Sequence, residues 1–154
     1  MKFDSQEWRQ RRNELLHRWI GDPNAVAFLL DVFAIGEVWD DLVDKDKPVS
    51  SEDVNKVFYT ALITLPNNPF YQAYRPQLSG VMVAGIHAWI DSTTLEKGDK
   101  TDRAIAFVLR DWYMELLTLV ATLLHGFDYA QSISLEMRRF FFHESLDEYL
   151  GEPL

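Results

Sequence analysis

Residues Asp22–Lys45 read DPNAVAFLLDVFAIGEVWDDLVDK, and the pattern of this run is helical. Asp22-Pro23 is a helix start, because Asp offers a side-chain oxygen to unpaired backbone N–H groups and Pro fits the first helical position, where its missing N–H costs nothing. Val26, Leu30 and Phe33 recur at helical spacing on one stripe, while Phe28, Val32, Ile35, Trp39 and Leu42 line the opposite side. The first half is therefore apolar all round, the mark of a buried, central helix. It runs to about Lys45, before Pro48.

Outward from this segment the breakers keep leaving helix-length pieces. Ser5 to Ile20 carries Trp8, Leu15, Leu16 and Trp19 at helical spacing, with Asp4 or Ser5 as its cap and Gly21 as its end. Ser50 followed by Asp53 approximates a capping box and opens a helix to about Leu65, ended by Pro66-Asn67-Asn68-Pro69. After a short aromatic piece, Phe70 to Tyr74, Pro76 starts a helix to about Asp91, and Ser92 to Lys100 is a polar loop. Thr101 or Asp102 caps a long helix to His125, closed by Gly126, and Ser132 or Ser134 starts the last helix, to about Leu150. Alternation of period two is absent. The expectation is an all-α, single-domain bundle of about six helices over residues 1–154, with buried helices near 23–45 and 102–125.

Composition narrows the function. The chain has 154 residues, of which 47% are hydrophobic, including ten Phe, six Tyr and five Trp, so it is globular rather than disordered. Fifteen basic against 24 acidic residues give a net charge of −9, which opposes direct binding to nucleic acid or an anionic membrane. Zero cysteines exclude a disulfide framework, a thiolate metal site and a cysteine nucleophile. Met1–Glu7 has no apolar signal-type region and no run reaches the length of a membrane span, so the expectation is a soluble, cytoplasmic protein. Phosphate-binding glycine loops, a nucleophile elbow, HExxH and EF-hand loops are all missing.

The chemistry concentrates on the second helix. On a wheel of roughly 100° per residue, Asp40, Asp41 and Asp44 all fall within about 60° of Glu37, so four acids continue one stripe. Like charges at this spacing repel, and burying an unpaired carboxylate costs several kcal/mol. The stripe must be solvated, paired with Lys45, Lys47, Arg103 or Arg110, or neutralised by a metal. Clustered carboxylates are hard oxygen ligands that suit Mg²⁺, or Mn²⁺, held together with a substrate phosphate.

The run Glu37-Val38-Trp39-Asp40-Asp41-Leu42-Val43-Asp44-Lys45-Asp46 resembles the first aspartate-rich motif, DDxxD, of class I isoprenoid synthases, the all-α prenyl-diphosphate and terpene synthases. The resemblance implies that Asp40, Asp41 and Asp44 coordinate Mg²⁺ ions that grip a diphosphate. It covers about ten residues. The chain carries neither a second DDxxD, nor the Asn/Asp, Ser/Thr, Glu triplet, nor an Arg-Arg pair shortly after the motif, where it reads Lys47-Pro48-Val49-Ser50, so what it implies is a reduced or divergent member.

Other elements supply residues that could complete such a site. Gly80, Ala84, His87 and Asp91 share one face, with His87 and Asp91 four apart as a proton-moving or metal-binding pair, or as a packing stripe ending in a hydrogen bond. Asp111, Glu115, Thr118, Thr122 and His125 form one polar groove on an otherwise apolar helix, which fits either a wet cavity or a narrow solvent face. Asp111 and Glu115 would be the opposing carboxylates and Arg110 the anion contact. The last helix adds Arg138, Arg139, His143 and Asp147 on an amphipathic surface.

Three functions follow. One is a Mg²⁺-dependent protein acting on or binding a diphosphate or nucleotide. The second is a non-catalytic acidic module that binds a basic protein partner, and the third a nucleic-acid mimic. The aromatic content suits a homodimer.

Overall fold

A computed structural model describes residues 5–151, and all of their regular structure is helical. In chain order the helices are α1 (Gln6–Ile20), α2 (Pro23–Asp44), α3 (Ser51–Tyr59), a π-helical turn (Thr60–Thr64), α4 (Pro69–Leu95), α5 (Lys100–Leu109), α6 (Tyr113–His125), α7 (Phe127–Phe141) and α8 (Leu146–Leu150). No helix among the described residues is long and apolar enough to cross a membrane. The all-α expectation holds. The chain divides into two compact units, Arg12–Pro76 and the segments on either side of it, and α1 and α4 each run through the boundary.

In the unit Arg12–Pro76, the expected signals act where the sequence put them. Asp22 Oδ1 accepts from the Ala25 N–H at 2.8 Å, with Pro23 in the first turn, and Gly21 at φ +80° makes the turn out of α1. Leu15, Leu16, Trp19 and Ile20 of α1 are buried, as are Ala25, Val26, Phe28, Leu29 and Val32 of α2. The burial of α2 is less complete than the sequence suggests: Ala27 is exposed, and from Phe33 to Asp44 the helix is half-buried or exposed. Asn68 locks the start of α4 to the start of α2. Its Nδ2 donates to the Asn24 carbonyl at 2.9 Å while its Oδ1 accepts from Phe70 N–H at 2.9 Å, and the Phe28 ring lies 6.0 Å from Phe70 and 5.6 Å from Tyr71. The segment expected as an aromatic piece before Pro76 is thus already helix. Pro76 opens the second of two helical pieces that meet at a kink within α4, with Tyr74 at φ −121°, ψ 21°, because its ring removes a helical N–H and crowds the preceding turn. α3 is capped by Ser50, whose Oγ accepts from the Asp53 N–H at 3.1 Å, and it packs on α2.

The other unit holds residues 5–11 and 77–151 of the described chain. Ser5 Oγ accepts from the Trp8 N–H at 3.1 Å, the cap expected there; the alternative, Asp4, lies outside the described residues. Trp8 is buried, stacked on Phe140 at 5.3 Å and edge-on to Phe141 at 5.8 Å. α5 begins two or three residues earlier than expected, capped by Asp99 Oδ1, which accepts from the Asp102 N–H at 2.9 Å. The long helix expected over 101–125 is broken at 110–112 into α5 and α6. Gly126 at φ +89° ends α6, and α7 follows at once from Phe127, ahead of the expected start at Ser132 or Ser134. Met114, Leu116, Leu117, Val120 and Ala121 of α6 and Ala130, Met137 and Phe141 of α7 are buried, and the two helices pack on each other as a hairpin. The last helix is also two: α7 stops at Phe141, and α8 restarts behind Ser145 and Glu148, which form a full capping box. Arg103 Nη2 holds the end of α8 by donating to the Leu150 carbonyl at 2.6 Å.

Candidate functional site

The acidic stripe lies where the wheel places it, on the last two turns of α2. Glu37, Asp40, Asp41 and Asp44 are all half-buried, and none of the four is without a partner. The helix ends immediately after them, at Lys45 in the left-handed conformation (φ 58°), whose N–H donates to the Asp41 carbonyl. Carboxylates at a helix C-terminus meet the negative end of its dipole and raise the local demand for cations. A shallow, open hollow of about 400 Å³ adjoins this end, lined by Asp41, Leu42, Lys45, Asp46, Lys47 and Val49, so both charge signs face it. Among the described residues no three His, Asp or Glu side chains are gathered so as to hold a metal ion. Farther up the same helix, burial raises the Asp31 carboxyl above its usual range.

The remaining site residues belong to the other unit, and two of them come together. Asp111 sits in the turn 110–112, and Glu115 follows in the first turn of α6. Arg138 of α7 serves both: Nη2 donates to Glu115 Oε1 at 2.9 Å, and Nη1 lies 3.7 Å from Asp111 Oδ2. Burial pushes the Asp111 carboxyl up to about 7, against the pull of Arg138 and with a further push from Glu115. The polar groove on this helix is largely satisfied at short range. Thr118 Oγ1 donates to the Met114 carbonyl and Thr122 Oγ1 to the Thr118 carbonyl, both at 2.8 Å, and the His125 ring meets Tyr129 at 4.8 Å. Arg110, the expected anion contact, holds Glu96 instead, and the Tyr149 hydroxyl donates to the same Glu96 oxygen at 2.6 Å. Burial, with Glu96 beside it, pushes that hydroxyl up to about 12.

His87 and Asp91 are exposed, as are Gly80 and Ala84 on their stripe, and Val83, Ile86 and Ile90 beside them are exposed too. This face of α4 is turned to solvent.

One feature escaped the sequence reading. α3 and the π turn after it bury no residue at all, yet Phe58, Tyr59, Leu62 and Ile63 are 66, 61, 57 and 44% exposed, and Val54 stands exposed on the same helix. The signal was present in the apolar spacing Val54, Phe58, Leu62, which by itself reads as a core stripe. Only the fold shows which side of the stripe is covered.

Comparison with family models finds no match for this chain, and searches of curated proteins and of solved structures find none either.

Proposed function

We propose that this chain is a non-catalytic, acidic helical module that binds another protein, with α3 and the π turn as its docking element. The observation that carries this reading is the exposure of four large apolar side chains in a row, Phe58, Tyr59, Leu62 and Ile63, on a segment with no buried residue. Solvent-facing aromatic and aliphatic side chains scattered singly are ordinary, but a contiguous set of them is the usual mark of an interaction surface. Tyr and Phe on such a face supply large contact area at low entropic cost.

A second reading, a Mg²⁺-dependent protein acting on or binding a diphosphate in the manner of a reduced isoprenoid synthase, is favoured by three aspartates in the last turns of α2. In it Asp40, Asp41 and Asp44, with Glu37, would hold the ion. Mg²⁺ takes one or two carboxylates and completes its shell with water and phosphate oxygens, so this reading needs the phosphate to finish the site. Asp111, Glu115, His87, Asp91 and Arg110 have no assigned part in the interaction reading.

Calorimetry and thermal melting with Mg²⁺, Mn²⁺ and pyrophosphate, on the native chain and on Asp40→Asn/Asp44→Asn, set the two readings apart. The interaction reading expects no binding heat and no ligand-dependent change in Tm, and expects Phe58→Ser/Leu62→Ser to abolish binding of the neutral dye Nile red without lowering Tm. A rise in Tm with Mg²⁺ and pyrophosphate that the Asn variant loses would overturn it.

A further inference from the structure

We infer that α8 is a strap: it opens from α5 as one unit while the rest of the fold stays closed, and so switches Phe107 between a covered and a bare state. Five residues are too few for a helix to persist in water unaided, so α8 owes its order to its caps and its seat. The caps are its own, the Ser145–Glu148 box at one end and Gly151 in the left-handed conformation at the other. α7 ends at Phe141, Phe142 leaves it at φ −76°, ψ 88°, and residues 142–145 form a non-helical link. α8 can therefore leave its seat with the backbone of α7 undisturbed.

The seat is one stripe of α5 and the residue just beyond it. Arg103, Phe107 and Arg110 stand at i, i+4 and i+7, on one side of the helix. Arg103 Nη2 donates to the Leu150 carbonyl at 2.6 Å and to the Tyr149 carbonyl at 3.3 Å. The Phe107 ring lies 5.1 Å from Tyr149 and 5.2 Å from Phe142. Arg110 reaches α8 through Glu96, just past the end of α4, whose Oε1 accepts from both the guanidinium and the Tyr149 hydroxyl. Leu150 is the one buried residue of α8, whereas α6 buries six, and Arg110 and Glu96 are both partly open to water. A segment held mainly by partly solvated hydrogen bonds and ring contacts opens at a fraction of the cost of global unfolding. Opening also enlarges an apolar surface. Phe107 neighbours Ala104 and Val108 on the helix, and Val108 and Ile105 are exposed even with α8 in place, so a bare Phe107 extends their patch.

The chain has no cysteine, so a single introduced thiol reports opening cleanly. Leu150→Cys places one under the strap and Ala130→Cys places one in the buried face of α7. With a neutral maleimide, Leu150→Cys should label at least about a hundredfold faster than Ala130→Cys, and adding Tyr149→Phe should speed the first by about tenfold and leave the second unchanged. Equal labelling of the two thiols, or equal acceleration of both, means that α8 opens only when the whole molecule unfolds, and overturns the strap. Because Leu150→Cys shortens the one buried side chain of α8, hydrogen exchange without any introduced thiol is the second measurement. The amides of Glu148, Tyr149 and Gly151, each bonded within the segment 145–151, should exchange faster in Tyr149→Phe than in the native chain, all by a similar factor. An acceleration that grades inward from Gly151 is end fraying and overturns opening as a unit. Nile red fluorescence tests the covered ring: it should rise about twofold in Tyr149→Phe and fall back when Phe107→Ser is added. No rise, or a rise that survives Phe107→Ser, overturns the switching of Phe107.

Discussion

Asp111 shows how one residue can be legible in its type and illegible in its circumstances. The spacing of Asp111 and Glu115 marks them as a pair on one helix face, and the structure does bring them together. What the sequence could not supply was Arg138, 23 residues beyond Glu115 and joined to both only through the α6–α7 hairpin. Burial is the main force on Asp111 and lifts its carboxyl to about 7, well above the 3.8 of an ordinary Asp. The folded chain therefore binds this proton more tightly than the unfolded one. Stability from this group is fully present below about pH 4 and is lost as pH rises through about 7. Water still reaches part of the site, so the full conversion of the shift is too large, and a loss of about 1–2 kcal/mol is expected. Urea unfolding at pH 5 and pH 8 measures it: Asp111→Asn, the neutral isostere, should flatten the difference between the two. Equal slopes for the native chain and the variant would show that Asp111 titrates in its ordinary range. The same reasoning explains why the other site residues were only half readable. Exposure of His87 and Asp91, and the engagement of Arg110 by Glu96, are decided by packing, whereas the wheel reports only which residues share a side.

At the level of elements, caps read well and interruptions did not. Asp22, Ser50 and Ser5 all act as N-caps where their side-chain chemistry placed them, because capping is a local bond between residues three apart. The break between α5 and α6 has no comparable local sign. Its turn is closed by Asp111 N–H to the Val108 carbonyl and Met114 N–H to the Asp111 carbonyl, and it sets the Trp112 ring against Gly85 of α4. A Cβ at Gly85 would overlap that ring, so close approach and not backbone freedom is what this glycine provides. Gly80, five residues earlier on the same helix, has open space where its Cβ would go. Two substitutions of the same chemistry should therefore differ in sign. Gly80→Ala is expected to stabilise by up to about 1 kcal/mol through helix propensity, and Gly85→Ala to destabilise by about 1–3 kcal/mol through overpacking. Chemical denaturation of both variants is the check, with Gly85→Ala repeated in a Trp112→Ala background. Persistence of the penalty in that background would place its cause elsewhere than the indole. The start of α7 directly after Gly126, and the division of the last helix at Phe142–Ser145, likewise depend on which apolar residues find partners in the hairpin core, and spacing along one chain does not report that.

At the scale of the whole molecule, charge and exposed apolar surface work against each other. The net charge of −9 keeps copies of the chain apart at neutral pH, and the isoelectric point near 4.8 marks where that repulsion vanishes. Each unit carries apolar side chains in solvent: Phe58, Tyr59, Leu62 and Ile63 in one, and Val83, Ile86, Ile90, Ile105 and Val108 in the other. Acidic proteins without such faces also lose solubility near their isoelectric point, so the loss alone says little; its dependence on particular side chains is informative. The expected outcome is a maximum of turbidity near pH 4.8 for the native chain. Phe58→Ser/Leu62→Ser should lower that maximum several-fold, because these are two of the most exposed large apolar side chains in the molecule and neither belongs to the buried core. Val83→Ser/Ile90→Ser should lower it less, since that face is interleaved with the small and polar Gly80, Ala84, His87 and Asp91. Light scattering across pH 4 to 7, with circular dichroism to confirm that each variant remains folded, ranks the two faces. If Val83→Ser/Ile90→Ser proved the stronger suppressor, the dominant sticky surface would lie on α4, and the docking element would have to be sought there instead of on α3.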